Sequence, residues 1–152
     1  MKIGDKIPKL TLPATGGADI DLSSFKGKPL IVYFYPKDNT PGCTQEGIDF
    51  RDLHKQLEKA GARIFGVSRD SVRSHENFAA KYKFPFPLLS DGDEKLCKAF
   101  DVIREKSLYG RKYMGVDRST FLFDKGGTLV REWRGVKVKG HAHEVLDAVK
   151  AL

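Results

Sequence analysis

The sequence predicts an α/β fold built on a mixed central sheet with helices on both faces. Three observations carry this reading. Leu30–Tyr35 (LIVYFY) is an unbroken β-branched and aromatic run between Pro29 and Pro36, the pattern of a strand buried on both sides. Beyond Thr40 the apolar spacing changes to three and four, the helical period. Near the C-terminal end, Ser119–Phe123 and Thr128–Trp133 flank Asp124-Lys125-Gly126-Gly127, a hairpin signal. Strands alternating with helices, followed by an antiparallel pair, require a sheet of mixed direction.

In chain order, the first thirty residues hold short apolar pieces broken by Pro8, Pro13, Gly16-Gly17 and Gly27, an N-terminal β extension of short strands and turns. After the Leu30–Tyr35 strand, Thr40–Gly61 reads as a helix. Phe50, Leu53, Leu57 and Ala60 share one face, and Gly61 stops it. Arg63–Ser68 (RIFGVS) is a second buried strand. Ser71–Lys83 is a helix with Val72, Ala79 and Tyr82 inward. Pro85 and Pro87 flank a strand that ends near Ser90, beside a turn or a sheet edge. Asp93–Asp101 reads as a short helix and Arg104–Val116 as a long loop. His141–Leu152 closes the chain as a helix with Val145, Val149 and Leu152 on one stripe. A βαβα order followed by a hairpin and a last helix is the thioredoxin-like arrangement.

Composition narrows the function classes. The 152 residues fit one domain spanning 1–152, with 40% hydrophobic and 31% charged residues, too apolar for a disordered chain. No run approaches the roughly 18 apolar residues of a membrane span, and MKIGDKIPKL has no apolar signal-peptide core. The expectation is a cytoplasmic protein without membrane partners. With 27 basic against 20 acidic residues the formal charge is +7. Two cysteines, Cys43 and Cys97, exclude a disulfide scaffold and a four-cysteine metal site.

The chemistry concentrates in Tyr35-Pro36-Lys37-Asp38-Asn39-Thr40-Pro41-Gly42-Cys43-Thr44-Gln45-Glu46. This segment joins a buried strand to a helix, where α/β sheets bind ligands. Thr40 suits an N-cap and Pro41 the first helical position. Cys43 then falls in the first turn, where unpaired N–H groups and the helix dipole favour negative charge and so the reactive thiolate. Complete ionisation of a thiol with pKa ~8.5 gains only about thirtyfold at neutral pH. Fast chemistry therefore needs donors aimed at the developing charge as well. Cys97, set among Leu96, Ala99 and Phe100, reads as helix packing.

These residues resemble the active-site signature of the peroxiredoxins. Pro36-x-x-x-Thr40-x-x-Cys43 follows an aromatic strand, and YPKDNTPGCTQE is similar to the bacterioferritin-comigratory-protein, or PrxQ, branch. GDKIPKLTLP, FGVSRDS, FPLLSD and Arg118-Ser119-Thr120-Phe121 extend the likeness over nearly the whole chain. The resemblance implies a thioredoxin fold and peroxide reduction without metal, flavin or haem. It makes Cys43 the peroxidatic cysteine, Thr40 a hydroxyl partner of the peroxide, Pro36 a shield from water and Arg118 the stabiliser of thiolate and oxyanion. Glu46 fits the first turn by dipole alone, with a catalytic part optional. Thioredoxin, glutaredoxin or a low-molecular-weight thiol is the implied reductant, and a monomer the implied state.

The chain departs from the branch at the resolving cysteine. One usual position holds Ile48, the other falls at Ala79-Ala80. Either an external thiol reduces the sulfenic acid directly, or Cys97 resolves it after local unfolding. A one-cysteine cycle is expected.

Other readings carry less. His141 and His143 offer a base for a Cys–His hydrolase or two metal ligands, with no recognisable third partner. His75 reads as an ordinary helical residue. Arg104, Lys106, Arg111 and Lys112 around Tyr109, with Lys137 and Lys139 further on, have the makings of a single-strand nucleic-acid surface, but a solvated loop is expected and no nucleic-acid partner. A redox-linked binding protein on the same scaffold remains open, since folds host many functions.

Overall fold

The structure, a computed structural model, describes residues 1–152. Its order is β1 (Thr11–Pro13), β2 (Asp19–Asp21), a 3-10 turn (Leu22–Phe25), β3 (Leu30–Phe34), α1 (Pro41–Lys59), β4 (Arg63–Ser68) and α2 (Val72–Tyr82). There follow β5 (Leu88–Ser90), α3 (Lys95–Ala99), β6 (Ile103–Leu108), β7 (Arg111–Val116), β8 (Ser119–Phe123), β9 (Leu129–Trp133) and α4 (His141–Lys150). The central sheet runs β5-β4-β3-β8-β9. Strands β3, β4 and β5 are parallel, whereas β8 pairs antiparallel with both β3 and β9. This is the thioredoxin-like sheet expected from the element order, with β1–β2 as the N-terminal extension. No helix is long and apolar enough to cross a membrane.

Strand β3 earns its central place by having no polar side: all five residues are buried. Its alternation divides the interior in two. Ile31, Tyr33 and Tyr35 join Phe50, Leu53, Leu57, Val145 and Val149 beneath α1 and α4. Leu30, Val32 and Phe34 join Leu89, Leu96, Phe100 and Phe121 on the opposite face. Each fully buried aliphatic or aromatic side chain contributes about 1.5–3 kcal/mol, so the strand from which the candidate site emerges is among the most firmly held segments. Gly47 lets α1 settle onto this core, because a Cβ there would overlap the ring of Phe84.

Two elements differ from the sequence expectation. Arg104–Val116 is not a loop but the β6–β7 hairpin, with Leu108 paired to Arg111 around Tyr109-Gly110. Both turn residues have positive φ, 51° and 78°, as a tight two-residue hairpin turn demands. The hairpin stands apart from the central sheet, and most of its residues are exposed. It therefore shows no alternation of apolar and polar residues, the signal by which a half-buried strand is read. The helix expected at Asp93–Asp101 shortens to Lys95–Ala99, because Glu94 takes a left-handed backbone (φ 64°) and starts it late.

Candidate active site

Cys43 lies in the first turn of α1, on the stripe that continues through Glu46, Gly47, Phe50, Leu53 and Leu57. The helical period that packs α1 thus turns the thiol inward, leaving it 2% exposed. Thr40 occupies the N-cap with extended backbone (φ −83°, ψ 152°) and Pro41 follows at the first position. The Thr40 hydroxyl makes no capping bond, however. It donates to the Lys37 carbonyl at 2.8 Å, which closes the turn on itself and leaves the helix N-terminus without a side-chain cap. Pro36 is half-buried where β3 ends, just after Tyr35 N–H bonds the Val67 carbonyl at 3.0 Å.

Arg118 arrives from 75 residues away. Phe34 pairs with Ser119 in the β3–β8 register, so the residue before Ser119 sits at the end of β3 where the turn begins. There its guanidinium spans two groups: Nη2 donates to Cys43 Sγ at 3.4 Å, and Nη1 to Glu46 Oε1 at 2.8 Å. The fork suits this double task, since arginine presents several donors in one rigid plane. Gly42 keeps the way clear, because a Cβ there would stand 3.0 Å from Arg118 Nη2.

Glu46 is a larger part of the site than helix-dipole reasoning suggested. It is 1% exposed, and Oε2 has no hydrogen-bond partner. Burial pushes its carboxyl up to about 7, the attraction of Arg118 offsetting only part of that. Burial acting on Arg118 would lower its pKa, but Glu46 and Cys43 opposite it more than compensate and raise it. The result is a fixed cation whose counter-charge titrates near neutrality. A Glu three residues after the Cys, on the apolar stripe rather than the wet side, was the available sequence signal.

The other candidates lie elsewhere. Cys97 is fully buried in the interior on the face of the sheet opposite Cys43. Burial, together with a hydrogen bond and charge from Asp91, pushes its thiol far up. Ile48 packs partly buried against the first core, and Ala79 and Ala80 lie on α2. His141 is buried, with Nε2 2.8 Å from the Thr120 hydroxyl. Burial brings its pKa down to about 4. It is a neutral core histidine, while neighbouring His143 is exposed.

His75 corrects the expectation of an ordinary helical residue. It is fully buried, and Nδ1 lies 2.7 Å from Asp38 in the turn before Cys43. Those residues are 37 apart, so only the packing of α2 against that turn reveals the pair. The inward face of α2 is centred on His75 and Phe78, with Ala79 and Tyr82 packed partly buried beside them against the first core.

A thioredoxin-like sheet presenting an arginine-backed cysteine in the first turn of its long helix defines the peroxiredoxin class. Residues 3–132 match the AhpC/TSA family, and the chain belongs to that family. It is 58% identical over 142 residues to Peroxiredoxin Bcp of Xanthomonas campestris, covering 93% of this chain and 89% of that protein. Peroxiredoxin Bcp of Bacillus subtilis is 50% identical over 150 residues, 99% and 96% of the respective chains. Among solved structures, a cysteine-to-serine mutant of Xylella fastidiosa PrxQ is similar with a TM-score of 0.94 at 49% identity, covering 99% of this chain and 96% of that one. The X. campestris bacterioferritin comigratory protein, solved in connection with its alkyl peroxide reduction activity, gives 0.89 at 57%, covering 93% and 90%. Within the family, the chain falls in the Bcp/PrxQ branch.

Proposed function

We propose that the chain is a thiol-dependent peroxidase that reduces hydrogen peroxide and organic hydroperoxides to water or alcohols through Cys43. The observation that carries this is the buried thiol in the first turn of α1 with Arg118 Nη2 at 3.4 Å. The Cys43 thiolate attacks the nearer peroxide oxygen, the O–O bond breaks, and the other oxygen leaves as alkoxide or hydroxide and takes up a proton. Cys43 is left as sulfenic acid. Arg118 lies where negative charge passes from sulfur to oxygen, the place at which a fixed donor lowers the barrier most. Thr40 and Pro36 border the same turn, one offering hydroxyl lone pairs and the other excluding water.

The cycle closes with an external thiol. One thiol condenses with the sulfenic acid, releasing water and forming a mixed disulfide. A second thiol frees Cys43 and leaves as the disulfide. We assign the chain a one-cysteine cycle, supported by the opposite-face placement of Cys97. A Cys43–Cys97 bridge needs Cα atoms roughly 5.5–6 Å apart, and so unfolding on both sides of the sheet. The same proposal takes the chain as a cytoplasmic, monomeric single domain reduced by thioredoxin, glutaredoxin or a small thiol.

The test is a peroxidase assay with separate thiol donors on wild type, Cys43→Ser and Cys97→Ser. Activity should vanish in Cys43→Ser alone. Intact mass after one equivalent of peroxide without thiol should show one added oxygen. Loss of two hydrogens, abolished by Cys97→Ser, would instead establish the two-cysteine cycle.

A further inference from the structure

A second polar cluster, outside the Cys43–Arg118–Glu46 group, is centred on Asp38. This residue lies in the turn between β3 and α1, yet it is only 6% exposed. Its carboxylate accepts from Tyr35 Oη on Oδ1 at 2.7 Å. Ser74 Oγ and His75 Nδ1 each reach Oδ2 at 2.7 Å. The Asp38 backbone N–H donates to Asp70 Oδ2 at 3.0 Å, and Ser68 Oγ donates to that same oxygen at 2.6 Å. One turn residue is thereby tied to the end of β3, to the β4–α2 connection and to α2 itself.

The proton count shows how the pair is joined. His75 Nε2 lies 2.9 Å from the Leu89 carbonyl, an obligate acceptor, so Nε2 carries hydrogen. The contact of Nδ1 with a carboxylate oxygen requires a second proton. Burial alone would push the Asp38 carboxyl up, but the bonds from His75 and Tyr35, the imidazolium charge and Ser74 together hold it below its usual range. That second proton lies between Nδ1 and Oδ2, in a hydrogen bond of 2.7 Å closed off from solvent. Asp38, Asp70 and His75 bring potential ligand atoms within 4.8 Å of one another. Both ring nitrogens of His75 and both oxygens of Asp38 are already engaged, so the cluster works as a clamp and not as a cation site.

Cys43 makes this clamp functional. At 2% exposure its sulfur is almost closed to solvent, whereas a thiol on another protein must approach it to disulfide distance, about 2 Å. We infer that Asp38 and His75 are positioning residues that hold the turn closed for peroxide attack, and that release of this pair is the opening step that admits the thiol reductant. Breaking the pair removes a buried, charge-assisted bond, and removing one partner of such a bond costs enough to shift a local equilibrium tenfold or more. The opening is local because the turn bears the pair, while β3 and β4 keep their own ladder of hydrogen bonds. The inference rests on the peroxidase reading only for the assignment of the two half-reactions.

The test compares wild type with His75→Gln and with the milder Ser74→Ala, which removes one uncharged donor. Native Cys43 alkylation by iodoacetamide, read by peptide mapping, and hydrogen exchange of the 37–44 amides report opening without any peroxide. His75→Gln should raise both about tenfold or more while β3 and β4 amides stay protected, and Ser74→Ala should shift them less in the same direction. Oxidation of Cys43 by peroxide should slow while reduction of its sulfenic acid by a protein dithiol speeds up, an opposition that a merely structural role does not produce. Unchanged alkylation in folded variants would overturn the inference. So would slowing of both half-reactions together with loss of protection throughout the sheet. If His75→Gln does not fold, Ser74→Ala decides alone by the same signs. A wild type that fails to react with peroxide would overturn the peroxidase reading, which the alkylation and exchange arms do not use.

Discussion

Replacing Glu46 by glutamine isolates the most heavily perturbed group in the active site. Burial raises the Glu46 carboxyl from 4.5 to about 7. The folded chain therefore keeps a proton over a pH range in which the unfolded chain has lost it. Stability from this group is fully present below pH 4.5 and declines as pH rises through 7. Integrated over the two ionisations, the loss between about pH 5 and about pH 8 is about 2–3 kcal/mol. His141 works against it: burial lowers its pKa from 6.5 to about 4, so its contribution is lost as pH falls through that interval. The two slopes partly cancel in the wild type. Subtracting the Glu46→Gln curve removes the His141 slope and leaves the Glu46 slope. The counter-charge that Glu46 offers Arg118 exists only in the ionised carboxylate and is already contained in its pKa of about 7, so it belongs to the same slope. The assay is urea unfolding at a series of pH values, in a Cys43→Ser background that prevents oxidation, with and without Glu46→Gln. The expected result is a wild-type curve that falls with pH about 2–3 kcal/mol further than the variant's. A difference in slope below about 0.5 kcal/mol, or one of opposite sign, would refute the placement of Glu46 as a buried acid with an unpartnered oxygen.

Two other substitutions probe the site and its surroundings. Gly42→Ala places a Cβ 3.0 Å from Arg118 Nη2; the guanidinium should swing aside, with peroxidase kcat/KM down about tenfold and Tm almost unchanged. Stopped-flow oxidation and thermal unfolding of the same preparation separate the two effects. Cys97→Ala should leave the rate of Cys43 oxidation within about twofold while costing about 1–2 kcal/mol of stability, since the thiol is buried and remote from the site. Native alkylation should accordingly modify Cys43 and spare Cys97 until the protein unfolds.

Much of this protein was determined locally by its sequence. Leu30–Tyr35 had to be a doubly buried strand, because no residue in it can face water without exposing a large apolar group. The Thr40-Pro41 start and the stripe through Phe50, Leu53 and Leu57 dictated a helix with Cys43 in its first turn. The string around Cys43 pointed to the family before any contact was known. Short-range signals faltered where exposure or backbone conformation ruled: the β6–β7 hairpin has solvent on most of its residues, and its turn depends on positive φ at Tyr109-Gly110. Tertiary structure alone decided the partnerships. Arg118 reaches Cys43 through the β3–β8 register, across 75 residues. Asp38 finds His75 through the packing of α2, across 37 residues. Glu46 lost its water only when α1 closed against the core. The same folding set Cys97 on the far side of the sheet from Cys43. Distance in sequence carries no information about such meetings, because the entropy of closing long loops is recovered only when the whole sheet forms.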